Sequence, residues 1–367
     1  MRLTFNTVVI GGGQAGLATS YHLQRLGVEH VILDENEEVG ASWRNRWDSL
    51  RLFTPGRYNS LPGLPYPGPP HSLPGKDDIA DYLAAYAAQF EVPVRTGVKV
   101  TRVVADGNRY VVETADEGIR AENVVVATGG FHHPRIPDFA NSLGPDIVQM
   151  HSSDYRRSSQ VQEGPVLVVG AGQSGAEIAL DLVDQHQVWL SGEDHGEEPA
   201  RPGSAVDRLI APIMVFVATK VINVANPIGR RVRNHFLDPP RGIPRAGGTR
   251  KRILEAGIEW VGRTVGTKEG LPELDDGRVL DVATVIWCTG FRPDYDWIDL
   301  EVFDTYGYPI HERGVSETQP GLYFMGLLFQ RTLSSALIVG VGRDAEYVAE
   351  HIKDHQRLSP HKTPSHR

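Results

Sequence analysis

Two glycine-rich hexapeptides of one pattern have the residue types and spacing to hold phosphate: Gly11-Gly12-Gly13-Gln14-Ala15-Gly16 and Gly170-Ala171-Gly172-Gln173-Ser174-Gly175. Each follows a short apolar run, Thr7-Val8-Val9-Ile10 in the first case and Val166-Leu167-Val168-Val169 in the second. In such a strand–turn–helix unit the first glycine allows the tight turn. The second lets the backbone approach a pyrophosphate, and the third lets the helix pack close to the strand. The helix then aims unpaired N–H groups and the positive end of its dipole at the phosphates. Asp34, 23 residues after Gly11 and at the end of Val31-Ile32-Leu33, is placed to accept ribose hydroxyls. Glu35 and Val100 are assigned to the same cofactor site. Two such units, 159 residues apart, predict two dinucleotides on one chain, with electrons passing between them.

The bulk composition narrows the class. A chain of 367 residues fits two or three domains. A net charge of −9 disfavours nucleic acid as a partner. The single cysteine, Cys288, excludes an internal disulfide and a redox-active cysteine pair. A reducing cytoplasm is the expected setting, and the first strand begins too early to leave room for a signal peptide.

The elements that must position the turns repeat. Residues 5–33 read as strand, turn, helix (Ala15 to Leu26, ended by Gly27) and strand. A proline-rich loop from Pro55 to Pro74 is read as ordered and close to the cofactor. A helix follows over Asp77–Phe90, then a meander over 98–104, 109–114 and 118–121, and a separate buried strand from Asn123 that ends in Gly129-Gly130. The second half repeats this plan: strand and turn over 166–175, helix over 176–185, strand over 187–190, a second meander around Asp275-Asp276-Gly277, and Val282 to Gly290 echoing 123–129. Gly321 to Gly326 reads as the last strand, with a helix starting after Gly342. The apolar stretch Leu209–Val224 is short for a membrane span and contains Pro212 and Lys220. It reads as a buried or lid helix. The alternative is a helix lying on a membrane surface, with Arg230, Arg231 and Arg233 near the headgroups.

These residues resemble the class B flavin-dependent monooxygenases and, more broadly, the FAD/NAD(P)H oxidoreductases with two dinucleotide domains. The first turn corresponds to the FAD turn, and Gly40-x-x-Trp43-Arg44 to the stretch beside FAD. Ala127-Thr128-Gly129-Gly130, continuing through Pro134 to Pro137, matches the family's linker, and Gln149 to Tyr155 matches the end of its fingerprint. Gly170 to Gly175 followed by Glu177 matches the NAD(P)H turn, and Cys288-Thr289-Gly290-Phe291 the second linker-like element. The fingerprint's usual aromatic and glycine are Pro145 and Ile147 here. The position where several members carry an asparagine near the flavin falls at Phe53-Thr54.

The resemblance implies an α/β fold of two Rossmann-like dinucleotide-binding domains, the NAD(P)H domain inserted into the FAD domain. The expected division is 1–155 and 289–367 for FAD, with 156–288 for NAD(P)H, carrying an insertion over 195–250. The implied cofactors are FAD, bound by Gly11, Gly13, Gln14, Ala15, Gly16, Asp34, Glu35, Trp43, Arg44, Val100, Ala127, Thr128 and Gly129, and NAD(P)H, bound by Gly170, Gly172, Gln173, Ser174, Gly175, Ser191, Thr289 and Gly290. The implied activity is oxygenation, with O2, of a nitrogen, sulfur or carbonyl centre of a small molecule through a C4a-(hydro)peroxyflavin. Phe53, Thr54 and Gln330 are assigned to the substrate side of the flavin, and His151 to a hinge or the nicotinamide's neighbourhood. The other readings are a flavoprotein reductase serving a protein or quinone, and a non-enzymatic redox sensor. Family resemblance favours NADPH, and Arg201 could fold back to serve it. Glu193-Asp194, where NADPH binders usually carry Arg or Lys, favours NADH. No metal site is expected, because adjacent His132 and His133 point to opposite faces of a strand. A homodimer is left open.

Overall fold

The computed structural model describes residues 3–131, 133–197, 200–237, 245–246 and 250–358. Short, β-branched apolar runs form the parallel centres of two sheets. Parallel strands are buried on both faces, so they need continuous rather than alternating hydrophobicity. His30–Leu33, Val166–Val169 and Thr284–Trp287 are buried at every position.

The first sheet has nine strands. Thr4–Ile10 runs parallel between His30–Leu33 and Gly118–Val126, with Ile10 opposite both Leu33 and Val126. Leu322–Phe324 extends the sheet beyond Gly118–Val126, so the C-terminal segment returns to the first unit. The second sheet repeats the centre. Val166–Val169 lies between Val188–Ser191 and Thr284–Trp287, with Val169 opposite Ser191 and Trp287. Both sheets therefore carry the glycine-turn strand in the middle.

Three boundaries differ from the sequence expectation. Gly118–Val126 is one strand: it pairs antiparallel with Arg109–Thr114 at its start and parallel with Thr4–Ile10 along its length. No turn-forming residue separates 121 from 123, so nothing stops the chain there. The second sheet takes in Val148–His151, so the chain crosses into the second unit before 148 rather than at 155. The last helix is Ile338–Leu358, and Gly342 lies inside it. A Cβ there would stand 2.6 Å from Pro62 Cγ, so this glycine serves close packing rather than a start.

The helices Gln14–Arg25, Lys76–Gln89 and Gln173–Leu182 lie where expected to within a few residues, and Gly27 (φ +64°) follows the first of them. The stretch 209–224 is not buried. It forms the helix Ala205–Phe216, in which only Ala211 is buried, followed by the turn Val217–Val221.

Candidate dinucleotide sites and the linkers between them

The two glycine turns solve one steric problem with matching numbers. Gly11 has φ +106° and Gly170 has φ +111°. A Cβ on Gly11 would lie 2.6 Å from the carbonyl oxygen of Ala127, and one on Gly170 would lie 2.3 Å from that of Cys288. A Cβ on Gly16 would lie 1.9 Å from Gly11 O, and one on Gly175 1.8 Å from Gly170 O. These four glycines are required by the protein itself. Gly13 and Gly172 are different: a Cβ would meet nothing nearer than Ser42 Oγ at 4.0 Å in the first case and nothing within 4 Å in the second. Each caps a helix N-terminus without a side-chain cap, so the first-turn N–H groups face open space. That space, lined by backbone donors at a dipole's positive end, fits a pyrophosphate. The residues present therefore fit the pyrophosphate of a dinucleotide at each turn, as FAD and NAD(P)H both carry.

The glutamine common to both turns is a latch. Gln14 Nε2 donates to Ala336 O at 3.0 Å, and its Oε1 accepts from Trp43 Nε1 at 3.0 Å. Gln173 Nε2 donates to Ala246 O at 2.9 Å, and its Oε1 accepts from Ala246 N at 2.7 Å. Each turn is thus tied to a remote segment, the start of the last helix in one case and the 195–250 excursion in the other.

The strand-end positions differ in an informative way. Asp34 follows Leu33, and its carboxylate accepts the N–H of Gly12. By register the equivalent residue in the second sheet is Gly192. A Cβ there would stand 2.9 Å from Ala171 N. The first turn uses Gly12 and admits an acid at the strand end; the second uses Ala171 and excludes one. The acids of the second site come later, as Glu193 and Asp194. Asp194 pairs with Arg245 at 2.8 Å and lies 3.9 Å from Arg250, while Glu193 lies 3.3 Å from Arg263. Arg245 is fully buried, donates to Ala171 O at 3.0 Å and, like Arg250, stacks on Trp260. The arginine pairing holds the Asp194 carboxyl below its usual range despite burial.

Two linkers join the units. Ala127 to Gly129 and Cys288 to Gly290 leave equivalent strands, with Gly129 at φ +81° and Gly290 at φ +80°. Beyond them His133–Pro134 and Phe291–Arg292 pair antiparallel, so the crossings form one two-stranded ribbon. His151 braces it. Its Nδ1 accepts the N–H of Ser153 at 3.1 Å, which leaves the proton on Nε2, donated to Gly290 O at 3.0 Å. The ring meets Phe291 edge-on at 4.9 Å, and burial lowers the pKa of the imidazole. The His151 side chain therefore ties the end of Val148–His151 to the second linker.

Several assigned residues also make contacts within the protein itself. Gln330 is 1 % exposed, accepts from Leu327 N and donates to Met325 Sδ and Arg313 O, so it braces its own turn. Ser191 Oγ binds Gly262 O and Thr264 within the sheet. Arg44 binds Glu38 at 2.8 Å and Asp81 at 3.0 Å, and Glu35 pairs with Lys99. Val100 begins the strand Val100–Asp106 of the first sheet and packs, partly buried, against its core. Phe53 and Thr54 lie in the loop after Arg51, where the Thr54 hydroxyl bonds Asn59 Oδ1 at 2.6 Å. Asn59, 1 % exposed, also donates to Thr54 O. Sequence reading missed Asn59 and the buried polar group Thr332, Ser334, Ser335 and Asp344 at the start of the last helix, where burial raises the Asp344 pKa. His133 lies 3.5 Å from Asp294, and His132 falls outside the described residues.

Glu177 gives a pH prediction. Desolvation pushes its pKa up to about 7, against a hydrogen bond from Gln173 and the charge of Arg252. A carboxyl raised in the folded state contributes stability below its ordinary range and loses it as pH rises through about 7. Relative to Glu177→Gln, the wild type is expected to lose up to about 3 kcal/mol between pH 5 and pH 8. Denaturant titrations of both proteins at the two pH values measure this. Identical pH dependence would refute it.

Comparisons with known proteins agree with this geometry. The profile of the pyridine nucleotide-disulphide oxidoreductase family matches residues 8–224. An uncharacterized oxidoreductase, CzcO-like, from Geobacillus kaustophilus is 39 % identical over 97 % of this chain and 100 % of its own length. Indole-3-pyruvate monooxygenase YUCCA1 of Oryza sativa subsp. japonica is 37 % identical over 48 % of this chain and 44 % of that protein. The flavin-containing monooxygenase of Stenotrophomonas maltophilia superposes with a TM-score of 0.77 at 26 % identity, covering 96 % of this chain and 99 % of that one. A doubly substituted mutant of a flavin monooxygenase from the same organism superposes at 0.79 and 25 %, with the same coverage. The chain belongs to the pyridine nucleotide-disulphide oxidoreductase family, resembles its class B flavin monooxygenases, and is a flavin-dependent oxidoreductase.

Proposed function

We propose that this chain is an FAD-dependent monooxygenase that uses NAD(P)H and O2 to oxygenate a nitrogen, sulfur or carbonyl centre of a small molecule. The observation that carries this reading is a pair of matched phosphate cradles in a chain whose single cysteine is half-buried, with desolvation pushing its thiol pKa far up. With one cysteine, this chain has no internal cysteine pair through which to relay electrons to a disulfide. The likeness to flavin-containing monooxygenases supports dioxygen as the outlet instead.

When bound, FAD supplies hydride acceptance and dioxygen activation. The chain's own residues hold and orient. The N–H groups after Gly13 and Gly172 bind pyrophosphates, and Asp34 accepts ribose hydroxyls. Gln14 and Trp43 fix the first turn against the last helix, and His151 fixes the ribbon that sets the distance between the units. The test is turnover of amine, sulfide and ketone panels under isotopically heavy dioxygen. Label in the product supports oxygenation. NAD(P)H consumption sustained by a quinone, with no label in any product, would assign the chain as a reductase.

Glu193 and Asp194 set the nicotinamide preference in this reading. Their carboxylates hold Arg263, Arg245 and Arg250 and repel a 2′-phosphate. Glu193→Gln with Asp194→Asn is expected to shift the ratio of NADPH to NADH affinity about tenfold toward NADPH. Fluorescence titration of the FAD-loaded protein with each nucleotide reads the shift; an unchanged ratio removes these residues from recognition.

A further inference from the structure

The helix Ala205–Phe216 presents an apolar stripe to solvent. Val206, Leu209, Ile213 and Phe216 follow at steps of three, four and three, which is one helical face. They are 58 %, 76 %, 64 % and 58 % exposed, with Met214 beside them at 41 %. A contiguous exposed face of this kind on a soluble chain marks an interaction surface. The chain that follows the stripe is anchored to the rest of the protein. Val224 N donates to Arg331 O at 2.9 Å, Leu333 N to Ile222 O at 3.1 Å, and Phe236 stacks on Phe329 at 6.2 Å.

The charge of this excursion is opposite to that of the chain. Residues 205–237 carry Arg208, Lys220, Arg230, Arg231 and Arg233 against Asp207 alone, a net +4 in a protein of −9. Arg230, Arg231 and Arg233 are exposed on the helix Pro227–Leu237, together with Ile228 at 61 %. An exposed apolar stripe followed in the same excursion by exposed guanidiniums complements a surface with an apolar interior and an anionic skin. Symmetric pairing of two copies through this patch would instead set one +4 region against another. The twelve-residue helix is far too short to span a bilayer, and no helix among the described residues is long and apolar enough to do so.

We propose that residues 205–237 dock this chain peripherally on an anionic lipid bilayer, with the stripe at the acyl boundary and the arginines among the headgroups. The excursion bonds to Arg331 and Leu333, next to the polar group at the start of the last helix, so docking brings that end of the FAD unit to the membrane. The proposal stands independently of the oxygenation reading.

The test is sedimentation of the FAD-loaded protein with vesicles of phosphatidylcholine alone and of phosphatidylcholine mixed with phosphatidylglycerol. Binding is expected to the mixed vesicles only, and to weaken in high salt. Leu209→Glu with Ile213→Glu is expected to abolish it, and Arg230→Gln with Arg231→Gln and Arg233→Gln to weaken it at least tenfold. Both variants should keep the wild-type flavin spectrum, because they alter exposed side chains. Wild-type protein that ignores mixed vesicles at low salt, or a Leu209→Glu/Ile213→Glu variant that still binds them, overturns the proposal. So does light scattering that shows a wild-type dimer converted to monomer by the same pair of changes, which would assign the stripe to a second copy.

Discussion

Gly13→Val should yield a folded, colourless protein. A Cβ at this position meets only Ser42 Oγ, at 4.0 Å, so the protein itself tolerates a side chain. The space that the side chain enters lies in front of the N–H groups of Gln14–Arg25, where the pyrophosphate must sit. A branched side chain there should weaken FAD binding by at least about a hundredfold, since it removes several charge-assisted contacts together. Gly16→Ala is the contrast. Its Cβ would lie 1.9 Å from Gly11 O, a backbone atom that cannot swing aside as a side chain could. That variant should lose about 3 kcal/mol or more of stability and accumulate poorly. The flavin absorbance of purified Gly13→Val, read with its far-ultraviolet circular dichroism, separates the two effects. A yellow, fully loaded Gly13→Val protein would remove FAD from the first turn.

What is legible in the sequence is what local backbone geometry dictates. The glycine turns can be read because Gly11, Gly16, Gly170 and Gly175 each answer a clash within their own strand–turn–helix unit or with the adjacent strand, while Gly13 and Gly172 keep the space before the helix open. The internal repeat can be read because buried parallel strands require β-branched runs at matching intervals. Contacts between distant segments cannot be read. Gln14 reaches Ala336 across 322 positions, and Arg245 meets Asp194 across 51, with no periodicity to announce either. Gly342 looks like punctuation in the sequence, whereas it makes room for Pro62. Hydropathy alone does not tell that the helix Ala205–Phe216 turns its apolar face outward, because composition does not name the neighbour. Gln330 has a residue type suited to a flavin's edge, but its amide is spent on its own turn. Side-chain direction, unlike backbone conformation, is set by packing.

Gly172→Val should separate the two cofactors. No atom lies within 4 Å of a Cβ at this position, and the helix behind it, Gln173–Leu182, belongs to the second sheet. The first cradle is untouched, so the protein should purify yellow with its flavin stoichiometric. The valine fills the place of the nicotinamide dinucleotide's pyrophosphate, so anaerobic reduction by NADH or NADPH should slow by at least about a hundredfold. Dithionite should still reduce the flavin at the wild-type rate, which shows that the isoalloxazine site is intact. Gly175→Ala, with its Cβ 1.8 Å from Gly170 O, should instead unfold the second unit. If Gly172→Val is reduced by both nucleotides as fast as wild type, the second turn does not hold the electron donor. The donor must then enter by another route, and the correspondence between the two turns is structural only.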